Sequence, residues 1–233
     1  MSATLILTND DGIDAPGIKA LHRATAKLSN ISATVGIVAP DQHLSGCSHQ
    51  INRGGAIAVE QRPQQQYAVS GTPADCTRVA HHVYPHIDWV LAGINDGGNL
   101  GADTYVSGTV AAVREATLLR IPAIAISHYK SRGMSINWDM ATQRAARVLE
   151  VLMAKPLESG KFWNVNLPAL DDSAPEPEII ICSLCTQPLP TQASFEAGNF
   201  RYTGAYQDRQ RDSGADVDIC FSGNISVSKV SLW

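Results

Sequence analysis

The sequence predicts an α/β protein: a mostly parallel sheet layered between helices, with a β-rich C-terminal extension. Three observations predict it. Short, continuously apolar runs recur along the first half of the chain, as strands buried on both faces of a parallel sheet require. Stretches with helical spacing and capping signals separate the later runs. Near Pro156 the texture changes to polar, proline-containing sequence with one clearly alternating run.

The first run, Thr4–Thr8, ends in polar residues, and apolar positions at helical spacing follow from Gly17 to Leu28. Val35–Ala39, Trp89–Ala92 and Ala123–Ile126 are further buried-strand candidates. Thr72-Pro73-Ala74-Asp75 reads as a helix start, with threonine as N-cap, proline in the first turn and a carboxylate near the positive end. Thr109–Leu119 and Asn137–Met153 are the next helices, the second with Asn137 as cap. Repeated β-α units of this kind imply a layered sheet. The whole of 1–233 reads as a single domain, with a core over about 1–170 and an extension over about 171–233. Within the extension, Glu178–Leu184 is strand-like, Pro188–Asp216 has little periodicity, and Ile225–Leu232 alternates as a half-exposed strand does.

Composition narrows the function. The 233 residues are 44% hydrophobic and 17% charged, enough to bury a core and too little charge for a disordered chain. A net charge of -4 argues against a partner such as duplex nucleic acid. No apolar run approaches the roughly 20 residues a membrane span needs, and residues 1–10 lack the features of a secretion signal. Five scattered cysteines fit reduced thiols in the cytoplasm.

In open α/β sheets, ligands bind beyond the carboxyl ends of the strands. Asn9-Asp10-Asp11-Gly12 follows the first strand, Pro40–Gly46 the second, and Gly93–Asn99 the Trp89 strand. Each loop has a bland reading, as an Asp-Gly turn, a Ser-Gly loop or a glycine-rich connection. Together at one sheet edge they become a site. Two adjacent carboxylates, Asp10 and Asp11, repel each other unless a cation intervenes. Carboxylate, hydroxyl and amide oxygens are hard ligands that suit one divalent ion, Mg2+ or Mn2+, rather than zinc. Ser107-Gly108-Thr109 opens a helix, where backbone N–H groups favour phosphate, although Ser107 also serves as a plain N-cap. Asn9, Gly46 and Asn99 in the neighbouring loops complete the candidate phosphate contacts.

Other signals carry less. Cys182 and Cys185 have CxxC spacing but no matching second pair for zinc. His81, His82 and His86 lack the glutamate of a metalloprotease helix and suit a helix C-terminus instead. His43 and His49 flank Ser45, which leaves a proton-transfer role open for one of them.

Four motifs in order resemble the SurE survival-protein family. They are Thr8-Asn-Asp-Asp-Gly-Ile-Asp-Ala-Pro-Gly-Ile18, Val38-Ala-Pro-Asp41 with Ser45-Gly46, Val69-Ser-Gly-Thr-Pro-Ala-Asp-Cys76, and Gly93–Asp103 with Ser107-Gly-Thr-Val110. The resemblance implies a Rossmann-like three-layer α/β/α core and a metal-dependent 5′/3′-nucleotidase acting on nucleoside monophosphates. It implies metal ligands at Asp10, Asp11, Ser45 and Asn95, and homodimers or tetramers built through the C-terminal extension. Leu44 stands where the family commonly has arginine, and Val106 where it often has tyrosine. The implied chemistry is attack of water on the phosphate, with Asp10 or Asp11 handling the proton. The alternatives are a non-catalytic nucleotide or phosphate binder, and a broader acid-phosphatase or exopolyphosphatase activity.

Overall fold

Residues 2–233 are described by a computed structural model. They form a nine-stranded, mostly parallel sheet between two helical layers, the Rossmann-like α/β arrangement expected. In chain order the first half runs β1 (Ala3–Thr8), α1 (Pro16–Thr25), β2 (Ala33–Pro40), β3 (Val59–Arg62), β4 (Gln66–Val69), α2 (Pro73–Val83) and β5 (Trp89–Asp96). It continues with α3 (Gly108–Leu118), β6 (Ala123–His128), α4 (Trp138–Met153) and β7 (Lys161–Leu167). The C-terminal part adds β8 (Ile179–Ile181), β9 (Ala193–Glu196), β10 (Asn199–Tyr202), α5 (Asp216–Phe221) and β11 (Ile225–Ser231).

The large sheet has the order β3-β4-β2-β1-β5-β6-β7-β11-β8. From β4 to β7 all pairs are parallel, while β3 and β11 run antiparallel to β4 and β7. The chain leaves β1 in one direction through β2 and β4, then returns to β1's other side with β5. The strand order therefore reverses between β1 and β5, the topological switch point where such sheets bind ligands.

Side chains alternate across the sheet as a period of two dictates. Leu5 and Leu7 pack under α1 and α4 with Ile18, Leu21, Val148 and Leu149. Ile6 faces the opposite layer, where Val38, Val90 and Phe162 meet Cys76 and Ala80 of α2 and Val110 and Val113 of α3. Both helix starts foreseen at Thr72 and Asn137 exist. Thr72 and Asp75 form a reciprocal capping box, and Asn137 accepts from the N–H groups of Asp139 and Met140.

The sequence pattern passed over β3, β4, β7 and α5. In β7 the polar Asn164 and Asn166 interrupt the apolar run, yet both are buried. Asn166 accepts from the Asn99 N–H at 2.7 Å and donates to the Asn99 carbonyl at 3.0 Å, with Asn164 donating to the same carbonyl at 2.9 Å. β11 is more deeply placed than an edge strand: it inserts between β7 and β8, with Ile225–Ser228 buried. The aperiodic Pro188–Asp216 stretch contains the β9–β10 hairpin, a two-stranded sheet of its own.

Asn166→Ala leaves the buried Asn99 N–H without an acceptor, which costs on the order of 2–3 kcal/mol. Urea denaturation should show that loss relative to the unmodified protein, and an unchanged midpoint would remove this amide network from the account.

Candidate active site

β1 delivers Asp10 and Asp11 to the switch point. Asp10 is only 2% exposed, while Asp11 is partly buried. The Leu44 N–H donates to the Asp10 carbonyl at 2.7 Å and the Ile13 N–H to the Pro40 carbonyl at 2.8 Å, so the loop after β2 lies directly over the acidic pair. That brings Ser45 and Gly46 to the rim, both exposed. From the other side, the Asp96 N–H at the end of β5 donates to Asp11 Oδ2 at 3.0 Å. The sheet register shifts between Gly93 and Asn95, a bulge of the kind that re-aims a side chain at a strand end. Asn95 donates through Nδ2 to the Gly97 carbonyl at 2.8 Å, which leaves Oδ1 as its free oxygen.

The start of α3 closes the site. The Thr109 hydroxyl donates to Asp10 Oδ1. Gly108 permits this closeness: a Cβ there would fall 2.8 Å from both Cβ and Oδ2 of Asp10 and 2.9 Å from Cys47 Sγ. Ser107 is the N-cap, accepting from the Val110 N–H at 3.0 Å. The positive end of α3 therefore faces Asp10 as well as the open rim.

Five of the candidate residues, Asp10, Asp11, Asn95, Gly108 and Thr109, lie on the strand ends and helix start that meet here. Ser45, Gly46 and Ser107 lie on the adjoining loops. Asn9 and Asn99 sit deeper. Asn9 is fully buried, with Nδ2 donating to the Gly12 carbonyl at 2.8 Å and Oδ1 buried without a partner. Asn99 belongs to the amide network under β7, and its Nδ2 donates to Ser127 at 2.7 Å. The flanking histidines separate in role. His43 Nδ1 lies 3.3 Å from Asp11 Oδ1, whereas His49 is tied at 2.8 Å to Glu115, which Arg78 also holds. Burial would raise Glu115, but the hydrogen bonds from His49 and Arg78 lower it below its ordinary value. The sequence reading missed the Asp96–Lys130 pair at 2.7 Å beside Asp11, since an aspartate in an Asn-Asp-Gly loop gives no signal of a distant lysine.

Electrostatically the pair is unfinished. Burial pushes Asp10 up to about 6, against the Thr109 hydrogen bonds and with help from Asp11's charge. Asp11 is raised by burial too, opposed by the Asp96 N–H and by His43. Among the described residues no three His, Cys, Asp or Glu side chains converge as a zinc site would require. The donors on offer are two carboxylates with amide and hydroxyl oxygens, a set that fits a hard divalent cation and would have its charge relieved by one.

The chain matches the family described as "Survival protein SurE" over residues 5–189. It belongs to the SurE family. A Nostoc sp. (strain PCC 7120) protein with a provisional 5′-nucleotidase name is 48% identical over 230 residues, covering 98% of this chain and 100% of its own length. The 5′-nucleotidase SurE of Paramagnetospirillum magneticum is 33% identical over 243 residues, covering 97% of this chain and 89% of its own. The crystal structure of the SurE protein from Aquifex aeolicus superimposes with a TM-score of 0.81 at 29% identity, covering 99% of this chain and 94% of that one.

A carboxyl whose folded value is raised from 3.8 to about 6 penalises the ionised fold. The penalty is absent below pH 3.8, grows as the pH rises to about 6 and is full above it, at roughly 3 kcal/mol. Asp10→Asn should therefore raise the melting temperature of chelator-treated SurE protein at pH 8 and leave it nearly unchanged at pH 4. Equal shifts at both pH values would disprove the charge origin.

Proposed function

We propose that this SurE protein is a divalent-metal-dependent phosphatase that hydrolyses nucleoside 5′- and 3′-monophosphates to nucleoside and phosphate. The observation that supports it most is the meeting of an unrelieved acidic pair with the N-terminus of α3 at the sheet's switch point. Phosphoryl transfer needs a cation and an anion-binding helix end side by side. The 5′-nucleotidase names of several relatives point to the same chemistry.

A cation held by Asp10, Asp11, Ser45 and Asn95 would supply Lewis acidity toward a phosphate oxygen. The protein's own groups do the rest. Thr109 holds Asp10 in place, so Asp10 would serve as an anchored ligand. The helix start at Gly108 offers the positive end of α3 to the phosphate. Water attacks phosphorus, the bond from phosphorus to the ester oxygen breaks, and that oxygen leaves with a proton. Asp11 Oδ1 is the better placed carboxylate oxygen for proton handling. It lies nearer solvent than Asp10 and beside His43 Nδ1, through which a proton can pass to and from water.

The family resemblance suggests a homodimer or tetramer, and the β9–β10 hairpin supports one. Phe195, Phe200 and Tyr202 are 60% or more exposed on a two-stranded sheet outside the core. An isolated hairpin is marginal alone, so a second copy is its expected cover. Five free cysteines fit a reducing compartment such as the cytoplasm. Among the described residues no helix is long and apolar enough to cross a membrane.

Phosphate release from 5′-AMP and 3′-AMP should require Mn2+ or Mg2+, stop with chelator, and fall at least 100-fold in Asp10→Asn and Asp11→Asn. Tight nucleotide binding without turnover would instead mark a binder. Replacing Phe195 and Phe200 with serine should shift the protein to monomer in sedimentation, and an unchanged mass would rule out the hairpin as the contact.

A further inference from the structure

A cavity of about 540 Å3 opens where β6 and β7 end against the start of α4, and Lys130 in its lining pairs at 2.7 Å with Asp96, the neighbour of Asp11. That size is typical of small-molecule sites. Asp96 links the two places. Its N–H holds Asp11, and in the sheet it pairs with His128, which lines the cavity. β1 and β6 lie two strand spacings apart, about 10 Å, on the same edge of the sheet. A nucleotide whose phosphate rests at Asp10 and Asp11 can reach across with its base.

Arg144 lines this cavity from α4 and is only 2% exposed. Its Nε is buried with no hydrogen-bond partner. The Glu176 carboxylate lies 3.9 Å from it and is shared with Arg147 at 3.2 Å. Among the described residues Arg144 makes no hydrogen bond to the protein, and a guanidinium can only donate, so it is what enters the cavity that completes it. The completing group must present acceptors. It must also suit the apolar wall made by Ile136, Met140 and Tyr129. The wall offers acceptors in turn: the Asp171 carboxylate, and His128, whose Nδ1 faces the Tyr129 carbonyl at 2.8 Å and so leaves Nε2 free to accept. Free phosphate would find Arg144 and Lys130, but it would face the Asp171 and Asp172 carboxylates and leave the Ile136, Met140 and Tyr129 wall uncovered.

We propose that this cavity is the base subsite and that Arg144 selects a 6-oxopurine, guanine or hypoxanthine, by donating to O6 and N7. The two ring acceptors match the fork of an arginine, and the N1–H of the base then has Asp171 or His128 to donate to. Adenine presents an amino donor at position 6 and clashes with the same guanidinium. The inference rests on the nucleotidase reading above and deepens it by naming the substrate.

The test compares GMP, AMP and ribose 5-phosphate, the last carrying ribose and phosphate but no base, with native protein, Arg144→Gln and Arg144→Lys in Mn2+. Native protein should favour GMP over AMP. Arg144→Gln should lose on the order of ten-fold or more in kcat/KM for GMP, mostly through KM, while ribose 5-phosphate stays within about two-fold. Arg144→Lys, a point charge without the fork, should fail to restore GMP preference. Unchanged GMP kinetics, or an equal fall for GMP and ribose 5-phosphate, overturns the base subsite, the second outcome showing Arg144 to be structural. No turnover of any of the three by native protein overturns the nucleotidase reading itself, and the base subsite with it.

Discussion

The contact between Thr109 and Asp10 organises this site. A carboxylate at the end of a central strand is driven underground by the sheet around it, and the hydroxyl of Thr109 partly offsets the cost. The contact is possible only because Gly108 has no side chain to hold the helix away. One helix start therefore does two jobs: it steadies a buried carboxylate and leaves its positive end facing the rim, where the proposed phosphate would sit. The same closeness explains why Asp10 is nearly inaccessible while Asp11, one residue later, reaches the rim. The bend after β1 turns the two carboxylates to different surroundings, Asp10 into the interior and Asp11 toward the rim, and the separate roles proposed for them rest on that.

The rest of the sheet serves to keep this edge rigid. Gly17 lets α1 pack so tightly on β5 that an added Cβ would fall 1.9 Å from the Ile94 carbonyl. Beyond β5, the loop that leads to Ser107 is tied down twice. Its Asn99 backbone is held by Asn164 and Asn166 of β7. Asp103 accepts from the Leu100 N–H and from Arg209, whose side chain is fully buried, and Tyr206 donates to it as well. Burial and the adjacent Asp103 charge push Tyr206 far up, so it stays a donor. Asp216 completes the clamp by accepting from the N–H groups of Gly101 and Cys185. The C-terminal segment is thus a brace for the loop that leads to Ser107 as well as the carrier of an exposed hairpin.

This division explains what the sequence made legible. The strands of the first half, the helix caps and the acidic pair all obey local rules: apolar runs, capping residues, polar loops at strand ends. β7 broke those rules because its polar residues work at long range, satisfying a loop about 65 positions earlier. A buried amide in a strand looks like a turn signal until its partner is known. Arg144 was hidden for a related reason, since an arginine on a helix normally reads as the solvated face, and only the packed structure shows it buried and short of acceptors. The residues hardest to read are those whose cost is met elsewhere in the fold, which is where functional sites tend to depart from local consistency.

Leu44 illustrates the converse. It stands where an arginine is common in the family, yet its contribution to the acidic pair is its backbone N–H, which holds the Asp10 carbonyl whatever side chain follows. The loop can therefore lose the cation without losing its seat. What changes is the charge above the site. The nearest cationic or protonatable groups to Asp11 are now His43 at 3.3 Å and, through Asp96, Lys130. Both are partly solvent-exposed and screened. In the proposed base subsite, by contrast, Arg144 is buried, so its contact with a base would be less screened than theirs with a phosphate.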